Sequence, residues 1–283
     1  MAHLECEVYG QSVEGRPLRA YRIPGRRERP VVVVGGVHGL EFIGVLVAEA
    51  VAGHRVALES EVETWVVPVA NPDAYHHCRG AQGIGKASVF RKNARGVDLN
   101  RNFPLPGGAR RWPIWVTGSS NPKAATYYGP GPFSEPETAS LAELLRRIQP
   151  HALTSLHSFG GALIHARVKD RSAWEVYGRL SKTYREARGQ GRIVRLGSRI
   201  FDAFAGELED WAHHELGCWS TCIELFPLWD SVRQNGVYSS TFRRFNPDNP
   251  SHTLQIDPPA VWAWLEEARR HPRPQIRQID GSG

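Results

Sequence analysis

The sequence is poor in cysteine and has no long apolar run. Its 283 residues include only four cysteines, which are Cys6, Cys78, Cys218 and Cys222. So few scattered thiols are typical of a reduced protein rather than of a small scaffold held by disulfides. No stretch offers the roughly 18 uninterrupted apolar residues that a membrane helix needs. We therefore expect a globular protein without a membrane span.

The N-terminus and the charge distribution exclude two further classes. Residues 1–10, MAHLECEVYG, have no basic region, apolar segment or cleavage site of a secretion signal, which predicts a cytoplasmic location. The net charge of +6 arises from 35 basic and 29 acidic residues that are spread along the chain. A nucleic-acid binder more often gathers its basic residues into a stripe with aromatics. We expect neither nucleic acid nor membrane as a partner, and the oligomeric state is left open.

A strand–helix–strand pattern stands near the N-terminus. Residues 17–23 alternate like a half-buried strand, and 30–36 and 63–71 are apolar runs typical of strands buried on both faces. Between the two runs, residues 41–54 show helical spacing, and Gly53 predicts the helix end. This order predicts a right-handed crossover within one sheet.

More elements are indicated further along the chain. Ser134 and Glu137 have the spacing of a capping box, which predicts the start of a helix over 134–149. Residues 151–158 and 218–226 resemble buried strands, with a helix predicted between them at 172–188. No linker or repeat divides the chain, so we predict one domain over 1–283, with a C-terminal helix and tail at about 257–283.

The segment 76–133 has many glycines, prolines and aromatics and little periodicity. A long segment without regular secondary structure often contains functional residues. We therefore expect functional side chains in this segment.

Four polar residues stand at or near the ends of predicted strands. His38 and Glu41 follow the first apolar run, His157 ends the strand before Gly160, and Glu224 lies within the last strand. Ligand sites of open α/β sheets form beyond the carboxyl ends of the strands. Each residue alone also has a structural explanation, as a hydrogen-bonded histidine or a paired core carboxylate. Together they favour a crevice with candidate metal ligands.

A second candidate metal position is weaker. Cys218 and Cys222 stand four residues apart within an apolar stretch, and no second close pair of cysteines accompanies them. This pattern favours a buried strand over a zinc site.

The stretch VFRKNARGVDLNRNFP, residues 89–104, resembles the signature of the zinc carboxypeptidases of the carboxypeptidase A type. Further stretches agree in the same order: GRPL at 15–18, NPDAY at 71–75, YYGPGPFSEPET at 127–138, LHSFGG at 156–161, DW at 210–211 and IELF at 223–226. The resemblance covers about residues 9–226. It implies an α/β fold of one domain, with a mixed central β-sheet and helices on both faces.

The resemblance also implies the metal and its ligands. One Zn²⁺ per chain would be held by His38, Glu41 and His157. Asp98 would hold the ring of His38 in the required tautomer. Glu224 would act as general base and acid in the hydrolysis of a peptide or acyl-amino-acid substrate.

The middle loop would supply the remaining contacts to substrate. By resemblance, Arg91 would stabilise the oxyanion. Asn100 and Arg101 would bind the free carboxylate of the substrate.

This chain departs from the family pattern at three positions. Asp202 stands where digestive members carry a mobile tyrosine, and Leu40 stands where they carry an arginine. Glu209 occupies the position that sets the preference for the substrate's side chain in the family. A carboxylate at this position predicts a substrate with a basic or diaminopimelate-type residue. The alternative is an exposed Glu209, because GELEDW carries three neighbouring acids.

The loop also resembles that of the bacterial murein-peptide amidases. Two other functions are kept as alternatives. One is a zinc amidohydrolase of the aspartoacylase and succinylglutamate desuccinylase type, which shares the ligands. The other is a non-catalytic binding homologue, which would be expected to lack a ligand or the general base.

Overall fold

A computed structural model describes residues 4–57, 61–107, 109, 111, 117–189, 193–197, 204–236 and 240–276. These residues form one mixed sheet with helices on both faces, as expected. The strands are β1 Glu5–Gln11, β2 Pro17–Ile23, β3 Arg26–Val34, β4 Val62–Val67, β5 Ala152–Ser158, β6 Ala162–His165, β7 Val194–Leu196 and β8 Trp219–Leu225. The α-helices are α1 Phe42–Ala57, α2 Pro72–Gly80, α3 Ala87–Arg91, α4 Pro136–Ile148, α5 Arg171–Arg188, α6 Leu208–Leu216, α7 Leu228–Asn235, α8 Thr241–Phe245 and α9 Ser251–Arg270, and a short 3-10 helix spans Leu99–Arg101.

The strand order in the sheet is β1-β2-β4-β3-β5-β8-β6-β7. The four central strands β4, β3, β5 and β8 are parallel, whereas β1, β2 and β6 join the sheet in antiparallel pairs. Because β3, β5 and β8 are parallel neighbours, their carboxyl ends meet at one edge of the sheet. The residues that follow or end these strands are thereby brought together.

Two apolar layers cover the sheet. On one face, α1, α5 and α9 pack against alternate strand residues such as Val31, Val33 and Ile223. On the other face, α4 and α6 pack against Val32, Val34 and their neighbours. The four valines Val31 to Val34 are fully buried because their side chains alternate between the two apolar layers. None of the helices in the described residues combines the length and the apolar character needed to cross a bilayer.

Several sequence predictions of elements need correction. Helix α1 continues past Gly53 to Ala57, and the segment 76–133 contains the end of α2, all of α3 and the 3-10 helix. The capping box at Ser134 is wrong, since α4 begins at Pro136. The Ser134 hydroxyl instead accepts a hydrogen bond from Asn102, and Glu137 accepts one from the backbone N–H of Val13.

Candidate metal centre and active site

The turn between β3 and α1 holds the first two candidate ligands. Gly35 and Gly36 begin this turn, and Gly36 has a φ of +59°. A Cβ on Gly35 would lie 2.8 Å from the carbonyl oxygen of Pro68, so the turn after β4 packs directly against this backbone. Only glycine permits this close approach, which fixes the chain just before His38 and Glu41.

His38, Glu41 and His157 form a buried group that we call the metal cluster. Each is at most 2% exposed, and each offers one ligand atom within 4.8 Å of the other two. The Nδ1 atoms of the two histidines lie 3.1 Å apart, and each lies 2.9 Å from one oxygen of the Glu41 carboxylate. In the part of the chain that the structure describes, this is the only convergent group of three potential ligands.

Charge within the metal cluster keeps Glu41 ionised. Burial alone would raise the pKa of Glu41, but His38 and His157 lower this pKa to about 2. Burial alone would lower the pKa of His157, but the Glu41 carboxylate raises it to about 9. A buried carboxylate that stays ionised attracts positive charge, and this is the electrostatic environment that a bound cation needs.

The donor set fits zinc. Two imidazole nitrogens and one carboxylate are a usual protein ligand set for catalytic zinc, with a fourth position left for water or substrate. The far nitrogen of each ring already has a partner: His38 Nε2 lies 3.1 Å from Asp98 Oδ1, and His157 Nε2 lies 2.9 Å from Ser155 Oγ. These contacts orient the rings so that both Nδ1 atoms point to the same place.

Asp98 connects the metal cluster to Arg91. The Arg91 Nε donates to Asp98 Oδ2 at 2.8 Å, while the other oxygen of Asp98 faces His38. Burial would raise the pKa of Asp98, but Arg91 and His38 hold this pKa well below its usual range. Arg91 remains partly exposed, with 24% of its side chain accessible. It can therefore reach a ligand while its orientation is fixed.

Glu224 lies directly beside the metal cluster. In the parallel pairing of β5 with β8, His157 and Glu224 occupy the same register position. The backbone N–H of Gly160 donates to Glu224 Oε2 at 3.0 Å, and a Cβ on Gly160 would lie 3.2 Å from the Glu224 side chain. Burial and the charge of Glu41 raise the pKa of Glu224. A raised pKa makes the carboxylate a better proton acceptor than an exposed glutamate.

Two asparagines anchor the loop that carries Arg91 and Asp98. Asn93 Nδ2 donates to the buried carboxylates of Glu135 and Glu137, and its Oδ1 accepts from the N–H of Val97. Asn102 donates to the carbonyl oxygens of Tyr128 and Gly131 and accepts from the Thr138 hydroxyl. The stretches 89–104 and 127–138 therefore form one buried hydrogen-bond network, which explains why their residue patterns occur together.

Next to this loop lies a second polar group, which we call the acid–arginine cluster. It consists of Arg101, Arg167, Glu207, Glu209 and Asp210. Arg101 Nη1 lies 3.1 Å from one oxygen of Glu207, and Arg167 Nη1 lies 2.7 Å from the other. Arg167 also pairs with Asp210. Burial would raise the pKa of Glu207, but the two arginines lower it.

Glu209 is the uncompensated member of the acid–arginine cluster. It is 2% exposed, so the alternative of a solvent-facing Glu209 is wrong. Its Oε2 has no hydrogen-bond partner among the described residues. Burial, Glu207 and Asp210 raise the pKa of Glu209 to about 8. A buried carboxylate without a paired cation is costly, so this environment favours the protonated form of Glu209.

The remaining sequence candidates are placed as follows. The Asn100 Oδ1 accepts from the N–H of Leu208, which fixes the orientation of this side-chain amide. Leu40 is 1% exposed and packs with Cys78 and Phe90. Asp202 lies outside the described residues.

The cysteines take no part in the metal cluster. All four are free thiols, and Cys218 and Cys222 are buried. Neither cysteine belongs to a convergent group of ligands within the described residues.

Four further residues of the site were not predicted from the sequence: Ser155, Gly160, Arg167 and Glu207. Ser155 stands two residues before His157, so strand alternation places both on one side of β5 and could have indicated the contact. The other three reach the site through loop packing that no local pattern encodes.

A sequence model of the family described as zinc carboxypeptidase matches residues 2–228. The chain therefore belongs to the zinc carboxypeptidase family. This agrees with the donor set of the metal cluster and with the mixed sheet that holds it.

Individual relatives agree with this family. Murein peptide amidase A of Escherichia coli strain K12 is 31% identical over 170 residues, which cover 59% of this chain and 65% of the relative. The inactive metallocarboxypeptidase ECM14 of Arthroderma otae is 23% identical over 277 residues, which cover 76% of this chain and 44% of the relative. This chain thus spans less than two thirds of the length of either relative.

A solved structure has the same fold. Bovine thrombin-activatable fibrinolysis inhibitor, in complex with tick carboxypeptidase inhibitor, superposes with a TM-score of 0.73 at 21% identity, over 94% of this chain and 90% of that one.

Proposed function

We propose that this chain is a zinc-dependent metallocarboxypeptidase that hydrolyses a C-terminal peptide or amide bond. The observation that carries the proposal is the position of Glu224 beside a complete metal cluster. In the sheet, Glu224 is paired with His157, and its raised pKa suits proton transfer. A non-catalytic homologue would be expected to lack a ligand or this carboxylate, and both are present.

One Zn²⁺ per chain would be held by His38, Glu41 and His157. Bound there, zinc supplies Lewis acidity that polarises a carbonyl and makes water nucleophilic at neutral pH. Asp98 and Ser155 keep the two rings oriented through their far nitrogens.

Two side chains of the protein serve the chemical step. Glu224 takes the proton of the attacking water and delivers it to the leaving amine. The Gly160 N–H holds one oxygen of this carboxylate, which leaves the other for the proton. Arg91, fixed by Asp98 and partly exposed, stabilises the negative charge that develops on the carbonyl oxygen.

The leaving residue would be bound by the loop and the acid–arginine cluster. Asn100 and Arg101 contact its carboxylate, and the unpaired oxygen of Glu209 receives a cationic side chain. This supports a preference for a lysine-, arginine- or diaminopimelate-type residue. The similarity to murein peptide amidase A supports peptides of the bacterial cell wall as substrates.

We further propose that the chain acts as one catalytic domain. The single eight-stranded sheet supports this, as does the packing of α9 against α1 and α5. The cytoplasmic location stays a prediction, which cell fractionation would check.

The test is an assay of zinc-loaded protein against acyl-dipeptides that end in Phe, Lys, Glu or diaminopimelate. We expect cleavage that favours Lys or diaminopimelate over Phe. Glu224→Gln should lower kcat about 10³-fold, because the general base is removed. The matched control is Glu215→Gln, an exposed acid of α6, which should change nothing. Cleavage that survives Glu224→Gln would rule out this mechanism.

A further inference from the structure

Arg101, the residue proposed to bind the substrate carboxylate, is paired with an acid of its own chain. Its Nη1 lies 3.1 Å from Glu207, and only 11% of each side chain is exposed. The second oxygen of Glu207 is held by Arg167 at 2.7 Å. This pair is shielded from solvent and fixed on both sides, so it is not a loose surface contact.

The backbone holds Glu207 in this position. Gly206 has a φ of +78°, and a Cβ there would lie 2.7 Å from the carbonyl oxygens of both Arg101 and Phe103. The N–H of Phe103 donates to the carbonyl of Gly206 at 3.1 Å, and the N–H of Leu208 donates to Asn100 at 2.9 Å. Three successive residues, 206–208, are therefore packed onto the segment 100–103. Glu207 cannot leave Arg101 without opening this contact.

The Arg101 guanidinium already has an anionic partner within its own chain. Arg101 and Arg167 share the carboxylate of Glu207, and Arg167 also pairs with Asp210. A carboxylate that binds Arg101 must share the guanidinium with Glu207, and the two negative charges repel each other at short range. Glu207 thereby offsets part of the positive charge that Arg101 can offer to a ligand.

We propose that Glu207 is a specificity-determining residue that weakens selection for a free terminal carboxylate. The pocket then also accepts leaving groups with a neutral C-terminus, such as a carboxamide or a further peptide unit. Glu207 acts through Arg101 and touches no reacting atom. This inference rests on the proposed function, because it concerns the same pocket.

The test compares one peptide in two forms, an acyl-dipeptide that ends in lysine with a free carboxylate and its carboxamide. The readout is the ratio of kcat/KM for the acid to kcat/KM for the amide. Glu207→Gln should raise this ratio about tenfold or more, mainly through a lower KM for the acid, since one repelling charge is gone. Glu207→Asp keeps the charge and should stay near the wild-type ratio, as should Glu215→Gln. An unchanged ratio in folded Glu207→Gln protein would overturn the proposal.

A binding measurement separates this inference from the proposed function. Calorimetry with N-acetyl-lysine and N-acetyl-lysinamide needs no catalysis. We expect Glu207→Gln to strengthen binding of the acid about tenfold relative to the amide. If the wild type cleaves neither peptide but this shift is seen, the proposed function fails and the role of Glu207 stands. If peptides are cleaved and neither ratio shifts, the role of Glu207 fails alone. Should Glu207→Gln not fold, Glu207→Ala allows the same comparison.

Discussion

The metal cluster and the acid–arginine cluster lie side by side but differ in how their charges are satisfied. In the metal cluster, every ring nitrogen and carboxylate oxygen has a partner within 3.1 Å. In the acid–arginine cluster, the described residues leave one buried oxygen of Glu209 without a partner. The metal cluster thus has the arrangement of a cation site, whereas the acid–arginine cluster keeps a buried carboxyl oxygen that no protein group contacts by a hydrogen bond in the described residues.

The largest expected effect comes from removing a ligand of the metal cluster. His157→Ala takes away one of three converging donors and should lower zinc affinity far beyond the about 10–100-fold typical of changes outside the ligand set. Elemental analysis after dialysis should give about one zinc per chain for the wild type and almost none for the variant. Ser155→Ala removes only the partner of the far nitrogen and serves as the control. Equal zinc content in wild type and His157→Ala would contradict the ligand assignment.

A smaller effect is expected when the ring orientation is disturbed. Asp98→Asn keeps the shape of the side chain but removes the charge that faces His38 and Arg91. Zinc affinity should fall about 10–100-fold, as for other partners of metal-bound histidines. Competition with a chromogenic chelator measures this change. An affinity equal to that of the wild type would show that Asp98 acts on Arg91 alone.

A substitution in the acid–arginine cluster should change the selectivity between substrates and leave the zinc content unchanged. Glu209→Gln removes the carboxylate proposed to receive a cationic side chain. The ratio of kcat/KM for Lys over Phe substrates should fall about tenfold or more, while zinc content stays at the wild-type level. Steady-state kinetics with the two acyl-dipeptides decides this. An unchanged ratio would mean that the cation of the substrate binds elsewhere.

The smallest effect is on stability, where Glu209 should be unfavourable near neutral pH. Its folded-state pKa of about 8 lies above the ordinary value of 4.5, so the folded protein holds a proton that the unfolded chain has lost. Glu209 should therefore destabilise the wild type increasingly as the pH rises from about 4.5 to about 8. Glu209→Gln should remove this contribution and gain stability relative to the wild type over the same range, by at most about 5 kcal/mol at about pH 8.

Urea unfolding of chelated wild type and Glu209→Gln at about pH 4 and pH 8 measures this difference. Chelation keeps metal release from being coupled to unfolding in either protein. A constant difference between the two proteins over this range would contradict the raised pKa.

The sequence predicted the metal cluster better than the acid–arginine cluster, and the reason is physical. Buried strands have strong local patterns, so the end of 30–36 and of 151–158 located His38 and His157 at one sheet edge. The family resemblance then added the metal and the roles. A histidine at the end of a buried strand can therefore be recognised as a candidate metal ligand even when the structure of the loops is unknown.

Loop packing could not be predicted in the same way. The capping box at Ser134 was wrong: the Ser134 hydroxyl accepts from Asn102, 32 positions away, and α4 begins only at Pro136. Glu207 gave no local signal at all, since GELEDW could be a solvated helix start. Only the packing of Gly206 onto the segment 100–103 brings Glu207 to Arg101.

One measurement tests both clusters together: a crystal structure of the zinc-loaded protein with lysine bound, with data collected at the zinc absorption edge. We expect one anomalous peak bounded by the Nδ1 atoms of His38 and His157 and the Glu41 carboxylate, with the lysine ammonium against Glu209. A zinc peak away from these three side chains, or an ammonium that points to solvent while Glu209 stays without a partner, would contradict it.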